Sequence, residues 1–287
     1  MKTVRGIYSN PHMHWVGDGF PVRSLFDYQE LGKQLSPFLM LDHAGPATFA
    51  PATQPRGVGQ HPHRGFETVS IVYAGEVAHR DSTGQGGVIG PGDVQWRTAG
   101  AGILHEEFHS PAFTQQGGLL HMVQLWVNLP AKDKMTAPAY QAILQAEIPV
   151  VALEHGAATA RVIAGTFADT VGAARTHTPM QVVDLTVQAG ATVRLPVPIG
   201  WNTALVILQG TANINEIHTA HEAQVVVLSQ EGEAVQIKAG YSVLTASSID
   251  RVEENQVRPN EATTCPFSKI GRARVLEAGR TAGVRSA

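Results

Sequence analysis

Four side chains with chemical capacity fall in two pairs, His61-Pro62-His63 and His105-Glu106-Glu107. Residues two apart on an extended strand leave the same face. His61 and His63 therefore share one face, and His105 and Glu107 share another. Two short strands facing each other would bring three imidazoles and a carboxylate to one point. Nitrogen and oxygen donors without thiolate suit a borderline or redox-active divalent metal, with positions left for water or substrate. The competing reading is a set of interior histidines satisfied by ordinary hydrogen bonds. The second pair favours the metal: His12 and His14 have the same spacing but no third donor nearby, and that motif alone is weak.

The elements that must position these residues read as short strands between turns. Phe66–Tyr73 is rich in β-branched and aromatic residues, and Ala74-Gly75-Glu76 turns it into Val77–Asp81. A loop at Gly84–Gly87 and a turn at Pro91-Gly92-Asp93 precede a strand at Val94–Thr98. Gly100-Ala101-Gly102 leads into Ile103–His109, and Leu119–Leu129 runs unbroken to Pro130. This spacing predicts a barrel or jelly roll. Residues 1–36 read as a lead-in segment with a turn at Gly17-Asp18-Gly19. Ser36–His43 is an apolar run that suits core or the mouth of a pocket, and His43 stays outside the metal shell. Ala139–Ala146 reads as a short helix in a linker, which sets a boundary between domains at 1–135 and 136–287. Strand signals resume at Gln181–Thr186, Thr192–Leu195, Ala204–Leu208, Thr211–Asn215, Ala223–Ser229 and Ala234–Ile237.

Composition agrees. Charged residues are 16 % of 287, against 29 glycines and 17 prolines, which favours many tight turns and a β-rich protein. A net charge of −3 gives no footprint for nucleic acid or an anionic membrane. No apolar run approaches the ~18–20 residues that span a bilayer. No export signal opens the chain, and Cys265 is alone, so a cytoplasmic protein without disulfides is expected. Cys265 is assigned no role.

A faint internal repeat divides the chain. Ile71–Ala78 lies over Val206–Asn213 at an offset of 135, with a glycine turn between strands in each. Gly92–Gly100 lies over Gly232–Gly240 at an offset of 140. On this alignment Pro196, Pro198, Thr245 and Ser247 replace His61, His63, His105 and Glu107, so the second copy is scaffold.

His61-Pro-His-Arg-Gly-Phe-Glu-Thr-Val-Ser70, Pro91-Gly-Asp-Val-Gln-Trp-Arg-Thr-Ala-Gly-Ala-Gly-Ile-Leu-His-Glu-Glu107 and Gln124-Leu-Trp-Val-Asn-Leu129 resemble the pirin family of the cupin superfamily. The match runs from about Phe38 to Gln141. The stretch from Ser247 onward lacks the glycine–proline–phenylalanine run of that pattern. The resemblance implies an all-β bicupin: two double-stranded β-helix (jelly-roll) barrels packed together, with one divalent metal in the N-terminal barrel. It implies His61, His63, His105 and Glu107 as ligands. Iron(II) comes first, with zinc, copper, nickel, cobalt or manganese also compatible. Bacterial relatives are associated with quercetin 2,3-dioxygenase activity, which makes a flavonol and O2 the expected substrates. The eukaryotic namesake implies an alternative, an iron- and redox-responsive regulatory protein with a protein partner. A third reading is a metal-stabilised scaffold without chemistry. A monomer is expected.

Within this scheme Glu107 is favoured over Glu67 as ligand because it pairs with His105 on one strand face. It is also the natural base for a flavonol 3-hydroxyl. Glu67, given the parity of His61 and His63, is read as a carboxylate behind the metal that fixes a histidine tautomer. Glu106 points to solvent, and His79 and His109 are read as surface or wall residues. His121 reads as core or wall, with pocket lining as the alternative. Phe66, Trp96 and Trp126 are candidates for an apolar lining, although such aromatics are more often core.

Overall fold

Alternating apolar residues set an architecture of antiparallel strands. The computed structural model describes residues Met1–Val252; Cys265 and the remainder of the divergent tail lie outside the described residues. The first half contains β1 (Val4–Ser9), β2 (His14–Val16), β3 (Phe20–Asp27), β4 (Phe38–Phe49), β5 (Gly57–His63) and β6 (Phe66–Ala74). It continues with β7 (Val77–Asp81), β8 (Gly86–Ile89), β9 (Val94–Thr98), β10 (Ile103–His109) and β11 (Gly118–Asn128); β12 (Ala139–Ile143) lies past the 135/136 boundary and leads the second half. The second half contains β13 (Val150–Leu153), β14 (Ala158–Ala164), β15 (Thr166–Phe167), β16 (Thr170–Val171), β17 (Gln181–Val187) and β18 (Thr192–Pro196). It ends with β19 (Trp201–Gln209), β20 (Thr211–Ile214), β21 (His218–His221), β22 (Gln224–Leu228), β23 (Ala234–Ala239) and β24 (Leu244–Val252).

Each half is a sandwich of a seven-stranded and a four-stranded sheet. In the first, the order β12-β9-β6-β11-β4-β3-β2 faces β5-β10-β7-β8; in the second, β1-β22-β19-β24-β17-β14-β13 faces β18-β23-β20-β21. The two orders superimpose strand for strand. The large sheets meet at a shared apolar seam, where Val69, Ile71, Val94, Trp96, Val123 and Leu125 pack with Ile163, Val182, Val206 and Val225. The opposite face of the first large sheet looks into the first barrel, and that of the second, with Val162, Val183, Leu205 and Val226, into the second.

The strand that leads each half serves the other. β1 pairs with β22, and β12 pairs with β9, at equivalent places in the two sheets. Lys2, fully buried, anchors the first exchange by donating from Nζ to the carbonyls of Trp201, Ser229 and Gln230, each at 3.1 Å. Strand pairing thus crosses the 135/136 boundary in both directions.

Three local expectations need correction. Residues 1–36 are not a mere lead-in, since they supply β1, β2 and β3. Ala139–Ala146 is not a helix: Ala139–Ile143 pairs with β9, and a short 3-10 turn follows at Gln145–Glu147. The exposed edge of β9 offers backbone partners that outweigh the weak helix preference of this segment. The repeat is a real topological duplication, and Ile71–Ala78 lies over Val206–Asn213 as expected, with Gly75 and Gly210 turning at φ +83° and +85°. Before that point the register slips by one, so that Leu195 and Val197, not Pro196 and Pro198, stand for His61 and His63. The second lap of the repeat is displaced. β9 is equivalent to β22 and β10 to β23, so Gly92–Gly100 does not lie over Gly232–Gly240. Among the described residues, no helix is long and apolar enough to cross a membrane.

Candidate metal centre

β5 and β10 pair with His105 opposite His61 and Ile103 opposite His63; a bulge after His105 sets Glu107 opposite Val58. On its other side, β10 meets β7 with Asp81 opposite His105 and His79 opposite Glu107. Opposed residues project from one sheet face, so all these side chains enter the barrel. The candidate donor atoms of His61, His63 and His105 lie within 4.8 Å of one another, and those of His79, His105 and Glu107 form a second group within the same limit. His105 belongs to both. Its ring centroid is 4.2 Å from that of His61 and 4.6 Å from that of His63. The three expected imidazoles therefore meet, and Glu107 stands one row away beside His79.

The electrostatics keep His63 and His105 neutral. Burial, then the neighbouring His105 and His61, hold the His63 pKa well below the usual range. Burial, then Arg97, His61 and His79, do the same for His105. A neutral ring keeps a lone pair to give a metal. His61 Nδ1 lies 2.8 Å from the Gly59 carbonyl oxygen; with the proton there, the lone pair sits on Nε2. His105 Nε2 is buried without a hydrogen-bond partner. An orphaned ring nitrogen in a cluster of imidazoles, with a carboxylate beside it, fits a divalent metal.

Two amides fix Glu107. Oε1 accepts from Gln95 Nε2 at 3.3 Å, and Oε2 accepts from Gln124 Nε2 at 3.1 Å. Gln124 Oε1 in turn accepts from the Trp126 indole at 3.3 Å. Phe66 and Trp126, centroids 4.5 Å apart, both border His63, at 5.1 and 5.2 Å. These two aromatics flank the centre. Trp96 does not: it belongs to the apolar seam.

Other assignments change. Gly65, at φ +76°, bends the chain between β5 and β6 and resets the alternation. Glu67 therefore lies on the face of β6 that carries Val69 and Ile71, and accepts from Thr98 Oγ1 at 2.7 Å. It orients no histidine. His79 is not a surface residue: it is 4 % exposed and in contact with Arg97. His109 is a wall residue, bonded through Nε2 to the Gly19 carbonyl at 2.9 Å. Glu106 is paired with Arg80 at 2.5 Å on the outer face. His121 and His43 meet each other, Nε2 to Nε2 at 2.8 Å, beside Tyr73 and away from the centre. Exposed His12 and His14 take no part. A groove of about 620 Å³ lined by Asp93, Gln145, Ile148 and Arg161 is likewise remote from the histidines. Sequence reasoning missed Gln95, Arg97 and Gln124. Their signal was present: Val94-Gln95-Trp96-Arg97 alternates on a strand buried on both faces, so its polar positions had to face a polar interior.

The model for the family Pirin matches residues 19–127, and the model for the Pirin C-terminal cupin domain matches 182–247. A Pseudomonas aeruginosa protein provisionally named quercetin 2,3-dioxygenase is 56 % identical over 243 residues, covering 85 % of each chain. The crystal structure of quercetin 2,3-dioxygenase from Acinetobacter baumannii matches with a TM-score of 0.86 and 51 % identity, over 89 % of this chain and 88 % of that one. Human pirin is 36 % identical over 225 residues, 77 % of this chain and 73 % of its own. With these matches and the two β-sandwiches described above, the chain belongs to the pirin family and has its all-β bicupin fold.

Proposed function

We propose that this chain is a metal-dependent dioxygenase that converts a quercetin-like flavonol and O2 to a depside and carbon monoxide. One divalent metal, iron(II) first among the candidates, is held by His61, His63, His105 and Glu107 in the N-terminal cupin domain, 1–135. Among its described residues, the domain formed by 136–287 carries no ligands. The supporting observation is the buried cluster of imidazoles beside an amide-clamped carboxylate. Relatives more than half identical to this chain carry the name of that activity.

A bound metal supplies open positions, a lowered pKa for a coordinated hydroxyl and stabilisation of developing charge. The protein supplies the rest. Glu107, with both oxygens oriented by Gln95 and Gln124, receives the proton of the flavonol 3-hydroxyl. Neutral His63 and His105 present lone pairs without needing to lose a proton. Phe66 and Trp126 offer ring faces on which a flavonol can stack, and they exclude water from the reacting carbon.

The test follows the visible absorbance of quercetin in air with iron(II)-reconstituted protein, with His61→Ala alongside. Loss of the flavonol band with wild type and not with the variant is expected. A rate equal to buffer, from protein carrying one metal, would sink the proposal.

A further inference from the structure

His105 presents its two nitrogens to different surroundings. Nε2 is the orphaned atom of the imidazole cluster, whereas Nδ1 is contacted by Arg97 Nη1. Arg97 Nη2 contacts both ring nitrogens of His79, with 2.7 Å to Nδ1. Arg97 Nε lies 3.9 Å from Asp81 Oδ2, which is 3.6 Å from His79 Nε2. Tyr140, on the exchanged strand β12, covers the arrangement: its ring stacks on His79 at 5.5 Å, and the guanidinium carbon of Arg97 is 5.9 Å from its centroid. Arg97 is 1 % exposed.

This is a cation position. Donor atoms of His79, His105 and Glu107 lie close enough to hold a second metal. A guanidinium has only donors and a full positive charge, so it takes the lone pair of His79, and beside Glu107 the charge position, that such a metal would take. Glu107 and Asp81 supply the compensating negative charge.

We propose that Arg97 is a built-in cation that closes a second metal position formed by His79, His105 and Glu107, confining the centre to one metal on the His61–His63 side. The inference rests on the metal-centre reading above. Arg97 is a positioning residue: it holds the His79 ring and, by its charge, keeps a second cation away from Glu107 and His105, leaving His105 Nε2 to the resident metal. Without Arg97 the second metal takes His79 and Glu107, and His105 Nδ1 once its proton is released to solvent, so a one-metal centre becomes a two-metal centre.

The test counts zinc(II) bound by the full chain, by calorimetric titration and by metal analysis after gel filtration. Zinc accepts imidazole and carboxylate without redox change. Wild type is expected to bind one equivalent, Arg97→Ala two, and Arg97→Lys one, the lysine restoring the cation. Arg97→Ala combined with His79→Ala returns to one, which separates this position from surface histidines. Arg97→Met, closer in volume, replaces Arg97→Ala if the latter fails to fold by circular dichroism. One equivalent in a folded Arg97→Ala or Arg97→Met would overturn the proposal. A second equivalent that survives loss of His79, or is already present in wild type, would do the same. Wild type that binds no zinc removes the metal-centre reading and this inference with it.

Discussion

The two barrels share strand order, yet their interiors are opposites. Strand pairing places Leu195, Val197, Val235 and Ile237 where the first barrel has His61, His63, His105 and Glu107. Ile214 stands for His79, and Val226 and Leu228 stand for Gln95 and Arg97. All seven replacements are buried members of one aliphatic cluster. The second barrel therefore shows what this fold needs for its own stability, which is packed aliphatic side chains. The first gives up that packing at seven positions. Each buried polar group left unpaired costs about 1–3 kcal/mol, so the cluster is a liability to folding unless something binds there.

That contrast can be broken from either side. The largest effect is expected from His105→Val, which writes the second barrel's residue into the first. Metal retention is lost and flavonol turnover falls by at least ~100-fold, since even groups behind a metal's ligands cost 10–100-fold. The metal-free variant melts no lower than the metal-free parent. A variant that keeps both metal and turnover would show that the cluster is not what distinguishes the barrels. Next comes the reverse change, Val235→His, which buries an imidazole among Leu195, Val197 and Ile237. It should destabilise by roughly 2–4 kcal/mol in urea unfolding without adding a metal equivalent. A neutral outcome would mean that the second interior is looser than its packing indicates.

The smallest effect concerns the seam. Burial, then His121 and Arg23, push His43 down to about 4. The unfolded chain, near the ordinary 6.5, takes up a proton first, so stability is lost as pH falls from about 6.5 towards about 4. Other buried histidines act with the same sign. His43→Phe should flatten the melting temperature profile between pH 7 and pH 4.5 by one histidine's share, and profiles that run parallel would reject that assignment.

Much of the side-chain cluster was legible because β-strands obey a period of two. His61 with His63 and His105 with Glu107 needed only that rule and a turn between them. The rule fails where the chain bends: positive φ at Gly65 shifts Glu67 to the opposite face. It also cannot see which strands become neighbours. His79 looked solitary because its partners, His105 and Arg97, arrive through pairings far along the chain. The same limit hid β1 and β12, whose short patterns gain meaning only from sheet edges in the other half. The second lap of the repeat went astray because two glycine-bounded segments resembled each other more than their topological equivalents did.

The exchanged strand β1 also carries a consequence for synthesis. Its partner β22 is translated roughly 220 residues later, about 10–45 s at ~5–20 residues per second. During that interval the first barrel can assemble most of its sheets on the ribosome, while Val4–Ser9 has no edge to join. The strand made earliest is among the last to be placed. Slowing translation downstream of β12 should lengthen the life of a half-built chain whose N-terminal segment is open to proteases and chaperones, and that vulnerability ends only when β22 emerges.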